Sequence, residues 1–155
     1  VYFVQSGSVK VFKAHPDGKE LITNLYAEGD FFGYEPVLEN GVYQASAVAM
    51  HDASLVLIPR ADFLVMLHSH PDVSAAFINL LCKKITARES QLVNLAYNSV
   101  RQRTAEALIE ATRLKDTKAS ISIARDDLAK MVGTASESVI RVLSDFKEEG
   151  LITID

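Results

Sequence analysis

Short glycine-punctuated strands, one long seam-bearing helix, and two short helices around a glycine turn predict an α+β chain. The expected architecture has three parts. Residues 1–70 form an N-terminal antiparallel β-roll or jelly-roll barrel, 71–98 a long dimerisation helix, and 99–155 a C-terminal winged helix-turn-helix. Gly7, Gly18, Gly29, Gly33 and Gly41 all precede residue 42, and around them run YFVQ, SVKVFKA, ELITNLY, DFFG, YQASAVAM and SLVLIP. Strands this short, separated by turn residues, read as a barrel. His15–Glu20 (HPDGKE) has the chemistry of a hairpin turn.

From Arg60 the pattern becomes helical. RADFLVMLHS stops before Pro71, which suits the first turn of the next helix. That helix is expected over residues 72–97. Ile78, Leu81, Ile85, Arg88, Leu92 and Leu95 recur at alternating spacings of three and four, a heptad seam for a second copy. Cys82, the single cysteine, precludes an internal disulfide and is expected to be a buried, inert thiol. VRQRTAEALIEATRL continues as helix, KDTKAS as loop and ISI as strand. RDDLAKMV and SESVIRVLSDFKEE follow as helices, and LITI as a last strand.

Arg125–Ser144 carries the next argument. Ala129 is the small residue that two crossing helices need at their contact, and Gly133 supplies the turn. Val139 and Val142 face inward. These positions together make a helix-turn-helix. Thr134 and Glu137 have the spacing of a capping box, and Gly150 that of a C-terminal stop. The outward face carries Ser136, Glu137, Ile140, Arg141 and Ser144. Arg141 can donate to guanine O6 and N7, and Glu137 can accept from cytosine N4. Thr134 and Ser138 are placed to hold phosphate. The blander alternative for Glu137 and Arg141 is a surface ion pair worth about 0.3–0.5 kcal/mol.

Composition sets limits. The chain has 155 residues, 48% hydrophobic and 23% charged, with a net charge of -4. It is not coated in basic surface, although an acidic chain can carry a local DNA-binding face. No apolar run approaches a membrane span, the opening residues are not expected to be a signal peptide, and a reducing, cytoplasmic setting fits. An enzyme with a metal in the barrel would need clustered His and carboxylate ligands. His15 lies in a turn, His51 is alone, and His68 and His70 end a helix before a proline, so no enzyme and no metal are expected.

GSVKVF, PDGKELITNLYAEGDFFGYE, NLAYNSVRQRTAEALI and DDLAKMVGTASESVIRVLSDFKEEGLI occur in an order that resembles the CRP/FNR family of bacterial transcription regulators. The resemblance covers nearly the whole chain but lacks the first strands of the usual barrel and most of the wing hairpin. It implies a homodimer on a pseudo-palindromic promoter site, in contact with RNA polymerase. It also implies that Glu137 and Arg141 read a G·C-containing core. Ser136 stands where cyclic-AMP receptor proteins have another arginine. Ala124 replaces the usual Ser or Thr cap, with Asp126 and Asp127 compensating through the helix dipole.

The same resemblance locates an effector pocket and departs from it. Phe32 and Gly33 match the nucleotide cassette, but Tyr34 holds the glutamate position, with Glu35 one residue later. Gln44 holds the phosphate-binding arginine position, and Ala45 follows it. A neutral amide is a poor partner for a phosphate monoanion. Arg88 and Glu89 stand where adenine-contacting hydroxyls are expected and would crowd a purine. Tight cyclic-AMP binding is therefore not expected. The pocket is filled by its own side chains, such as Tyr34 and Tyr43, or takes a different small effector.

Overall fold

The computed structural model describes residues 1–112, 114 and 120–154. Six strands come first: β1 (Tyr2–Ser6), β2 (Val9–Ala14), β3 (Glu20–Tyr26), β4 (Phe31–Phe32), β5 (Ser46–Ala49) and β6 (Ser54–Leu57). They form two antiparallel three-stranded sheets, in the orders β4-β1-β6 and β3-β2-β5. Between the sheets lie Val4, Val9, Tyr26 and Phe32, with Phe32 stacked on Tyr2 at 5.1 Å and on Tyr26 at 5.2 Å. The β2–β3 hairpin turns where its Pro-Asp-Gly chemistry requires. The Gly18 amide donates to the His15 carbonyl at 2.9 Å, and Gly18 has φ +80°. Gly7 joins β1 to β2 at φ +81°, and a Cβ there would lie 2.3 Å from the Asp52 carbonyl oxygen. Gly7→Ala is accordingly expected to lower stability by about 1–3 kcal/mol in urea unfolding. An unchanged midpoint would contradict that.

Helix α1 (Glu35–Glu39) is one the sequence analysis did not anticipate. Pro36 in its first turn and a left-handed Asn40 at its end were the available signals. Then come α2 (Arg60–Ser69), α3 (Pro71–Tyr97), α4 (Val100–Thr112), α5 (Arg125–Val132) and α6 (Ser136–Glu148). Tyr34, Val37 and Phe63 form a second core, closed by Phe77, Leu80 and Leu81 from α3. A third core, made of Ala107, Leu128, Ala129, Val132, Val139 and Leu143, joins α4, α5 and α6. Among the described residues no helix is long and apolar enough to cross a membrane.

Two expected strands are not formed. Residues 121–123 and 151–154 carry no regular structure, and Ile123, Ile152 and Ile154 close the third core instead. A strand exists only with a paired backbone, and these segments use their apolar side chains without one. Of the loop expected at KDTKAS, Lys115–Ala119 lie outside the described residues.

The long helix packs one side on its own roll and leaves another side exposed. It has no buried residue within its own chain. Leu81 packs toward the roll, and Arg88 does the same through hydrogen bonds described below. The outward stripe is Ile78, Cys82, Ile85, Glu89, Leu92 and Ala96, with Ile78 58%, Ile85 60% and Leu92 67% exposed. This corrects the seam at Leu81 and Arg88, which face their own roll. Leu95 lines the cleft between the roll and the C-terminal helices. It also corrects Cys82, which is exposed rather than buried.

Candidate nucleic-acid interface

Gly133 makes the interface possible. It ends α5 in the left-handed region at φ +70°, and its amide donates to the Ala129 carbonyl at 2.9 Å. Ala129 is 2% exposed, so α6 can cross α5 closely at this point. Val139, Val142, Leu143 and Phe146 are the buried stripe of α6. From the far end, Arg101 of α4 holds Glu149 at 2.5 Å and lies over the Phe146 ring at 4.5 Å. The outward side chains of α6 are thus displayed from a helix packed along α5 and tied to α4 at its far end.

The start of α6 differs from expectation. Ala135 is the cap residue and makes no side-chain hydrogen bond, so the Thr134–Glu137 capping box does not form. Thr134 is taken up in the turn, where its amide donates to the Ala129 carbonyl at 3.2 Å. The α5 cap is Ala124, also without a side-chain hydrogen bond, and Asp126 and Asp127 lie in that helix's first turn.

On the free face, Glu137, Ile140, Arg141 and Ser144 are exposed. Among the described residues Glu137 and Arg141 form no ion pair, with each other or with anything else. The blander reading of this pair is therefore not realised, and both charged groups remain open for a ligand. Thr134 and Ser138 are half-buried near the helix start. Ser136 is not free: its hydroxyl donates to Asp126 at 3.3 Å. Asp126 in turn meets Lys130 at 2.7 Å, and Lys130 meets Glu20 of β3 at 2.9 Å. The bonded Lys130 ammonium lowers the pKa of Asp126, and Asp126 together with Glu20 raises that of Lys130. Lys10 of β2 meets Asp127 at 2.5 Å, with side chains only 19% and 13% exposed.

Most residues expected to hold an effector are packed against neighbours or exposed at the surface, and Arg88 alone of them lines a cleft, described below. Phe32 is buried in its ring stack. Gly33 is covered, since Tyr2 and Tyr43 side-chain atoms lie 3.2 Å from where its Cβ would be. Tyr34 is 2% exposed and packs edge-on against Phe77 at 5.2 Å. Tyr43 is exposed, with its hydroxyl donating to the Gly33 carbonyl at 3.3 Å, so it covers the glycine rather than filling a pocket. Glu35, Gln44 and Glu89 are exposed, and Ala45 is half-buried.

Arg88 turns inward from α3. It donates to the Thr23 carbonyl at 2.7 Å, to Gln91 Oε1 at 2.7 Å, and to the Asn24 side chain. One turn earlier, Lys84 lies 4.6 Å from the centre of the Tyr26 ring and 5.0 Å from that of Tyr34. Burial lowers the Lys84 pKa and raises those of both tyrosines. A cleft of about 840 Å³ opens beside these groups, lined by β3, α3, α4 and α5. It was not anticipated because its walls come from four separated segments.

Comparison with known proteins matches both halves of the chain. Residues 1–70 match the cyclic nucleotide-binding domain, and residues 102–155 the Crp-like helix-turn-helix domain. The "Cyclic AMP receptor protein" of Thermus thermophilus is 32% identical over 154 residues, covering 99% of this chain and 71% of that one. The "Nitrogen fixation regulation protein FixK" of Azorhizobium caulinodans is 27% identical, with 99% of this chain and 64% of its own length covered. Among solved structures, FixK2 from Bradyrhizobium japonicum superposes with a TM-score of 0.88 at 23% identity, over 99% of this chain and 77% of that one. A CRP-family transcriptional regulator from Thermus thermophilus gives 0.78 at 27%, over 99% and 78%.

Proposed function

The chain belongs to the CRP/FNR family of DNA-binding transcription regulators, and from that premise we propose that it acts as a homodimer on a pseudo-palindromic promoter site without tight dependence on cyclic AMP. The observation that carries the reading is the unpaired Glu137 and Arg141 on the free face of a helix packed along α5 and tied to α4 at its far end. The stripe of Ile78, Cys82, Ile85, Glu89 and Leu92 supports the dimer, since it repeats at the heptad spacing and has no cover in its own chain. At 27 residues α3 is about 40 Å long, enough for several heptads of such a seam. RNA polymerase as a partner and a cytoplasmic setting follow from the family alone.

Against tight cyclic-AMP binding stand three groups. Gln44 gives no charge to a phosphate, Tyr34 occupies its position as a buried aromatic, and Arg88 is tied to β3 where a purine is expected. A second reading, control by another small effector, is favoured by the cleft beside Lys84, Arg88 and Arg103. The Arg103 Nε there is buried and has no hydrogen-bond partner, as an anion would supply.

A random-DNA selection with the purified full chain, at fixed salt and with or without cyclic AMP, tests this. The expected result is the same palindrome in both arms. A palindrome that emerges only with cyclic AMP would overturn the independence, and no palindrome in either arm would overturn the function.

A further inference from the structure

We propose that Lys10 and Glu20, on the β2–β3 hairpin of the roll, are positioning residues for DNA reading: by holding Asp127 and Lys130 of α5 they fix how each head hangs from the dimer, and so which half-site spacing it accepts. The proposal rests on the dimeric function above and concerns residues more than a hundred positions from the reading helix.

Among the described residues two sets of polar contacts tie the head to the rest of the chain. The first is at the hinge, Asn98 and Ser99, between α3 and α4. It is stapled by Glu106, which accepts from Asn94 at 3.1 Å and from Asn98 at 2.9 Å. A single attachment of this kind fixes a position but leaves a rotation about it. The second attachment removes the rotation. Lys10 and Asp127, separated by 117 residues, meet at 2.5 Å with little exposure, where salt screens them weakly. Lys130 joins Glu20 to Asp126, and Asp126 accepts from Ser136 in the first turn of α6. A continuous polar chain therefore runs from a roll strand to the reading helix. Packing supports it, since Leu21 lies 3.5 Å from where a Gly133 Cβ would be. Lys10 and Asp127 also form a directional contact between oppositely charged groups that ties β2 to α5.

The consequence is specific to spacing. Adding or removing one base pair between half-sites shifts them by about 3.4 Å and turns them by about 35°. A latched head cannot follow that change, whereas a head free to swing about the hinge can. The experiment uses the full chain and the palindrome it selects, together with duplexes one base pair longer or shorter at the centre. The wild type is expected to bind the altered spacings about tenfold more weakly or worse. The double variant Lys10→Gln/Glu20→Gln is expected to bind all three spacings within about threefold, while discriminating single-base changes within a half-site as the wild type does. Lys10→Arg, which retains the charge, is expected to keep the wild-type spacing preference.

A purely structural role would lower stability without moving spacing preference. Unchanged spacing discrimination in the double variant would overturn the proposal. So would loss of spacing and base discrimination together, since the head itself would then be damaged. A wild type that binds single half-sites as tightly as the palindrome overturns the dimeric reading, and this proposal with it.

Discussion

Arg141→Ala is expected to lower affinity for the selected palindrome by about 30-fold or more. The guanidinium is exposed on the groove face of α6, and no carboxylate among the described residues competes for it. A bidentate contact to guanine discriminates by about 1–3 kcal/mol, and a dimer on a palindrome makes it twice. Loss of two such contacts, at about 1.4 kcal/mol for each factor of ten, gives the stated range. Anisotropy titration at fixed salt reads the effect, because phosphate contacts alone can mask it when salt varies. The variant is also expected to accept any base at the guanine position while remaining folded. Arg141→Lys should not restore discrimination, since an ammonium cannot make the planar fork. Affinity within threefold of wild type would remove Arg141 from the reading site.

Leu128→Ala is expected to destabilise the C-terminal helices by about 2–5 kcal/mol. Leu128 is 1% exposed at the centre of the core that α4, α5 and α6 share. Hydrogen exchange should show α4–α6 opening early while the roll keeps its protection. DNA binding should fall with the head. Leu151→Ala, at an exposed position, is the control, expected to stay within about 0.5 kcal/mol. Unaltered protection in α5 and α6 of Leu128→Ala would contradict the assignment of this core.

Apart from the short α1, the helices and the helix-turn-helix were legible because their signals are local. Pro71 starts α3, Gly133 ends α5, and the buried face of α6 repeats at helical spacing. The seam was legible as a pattern but not in phase. Apolar residues lie on two sides of α3, and only the packed roll decides that Leu81 and Arg88 turn inward while Cys82 and Glu89 turn outward. The capping box failed because Thr134 has the right spacing but its backbone is committed to the turn. The Lys10–Asp127 contact joins residues with no sequence relation at all. The cassette departures at Tyr34 and Gln44 were visible in advance. That Tyr34 packs against Phe77 from α3 required the tertiary structure.

The absence of any buried residue in α3 bears on how such a regulator would respond to its own abundance. In the proposed dimer the outward stripe of α3 gains its burial only from a second copy, so dimer and operator occupancy both rise with chain concentration. At low abundance occupancy follows the square of that concentration. Doubling synthesis would then raise occupancy about fourfold in the unsaturated range, a threshold built into the seam and requiring no bound effector.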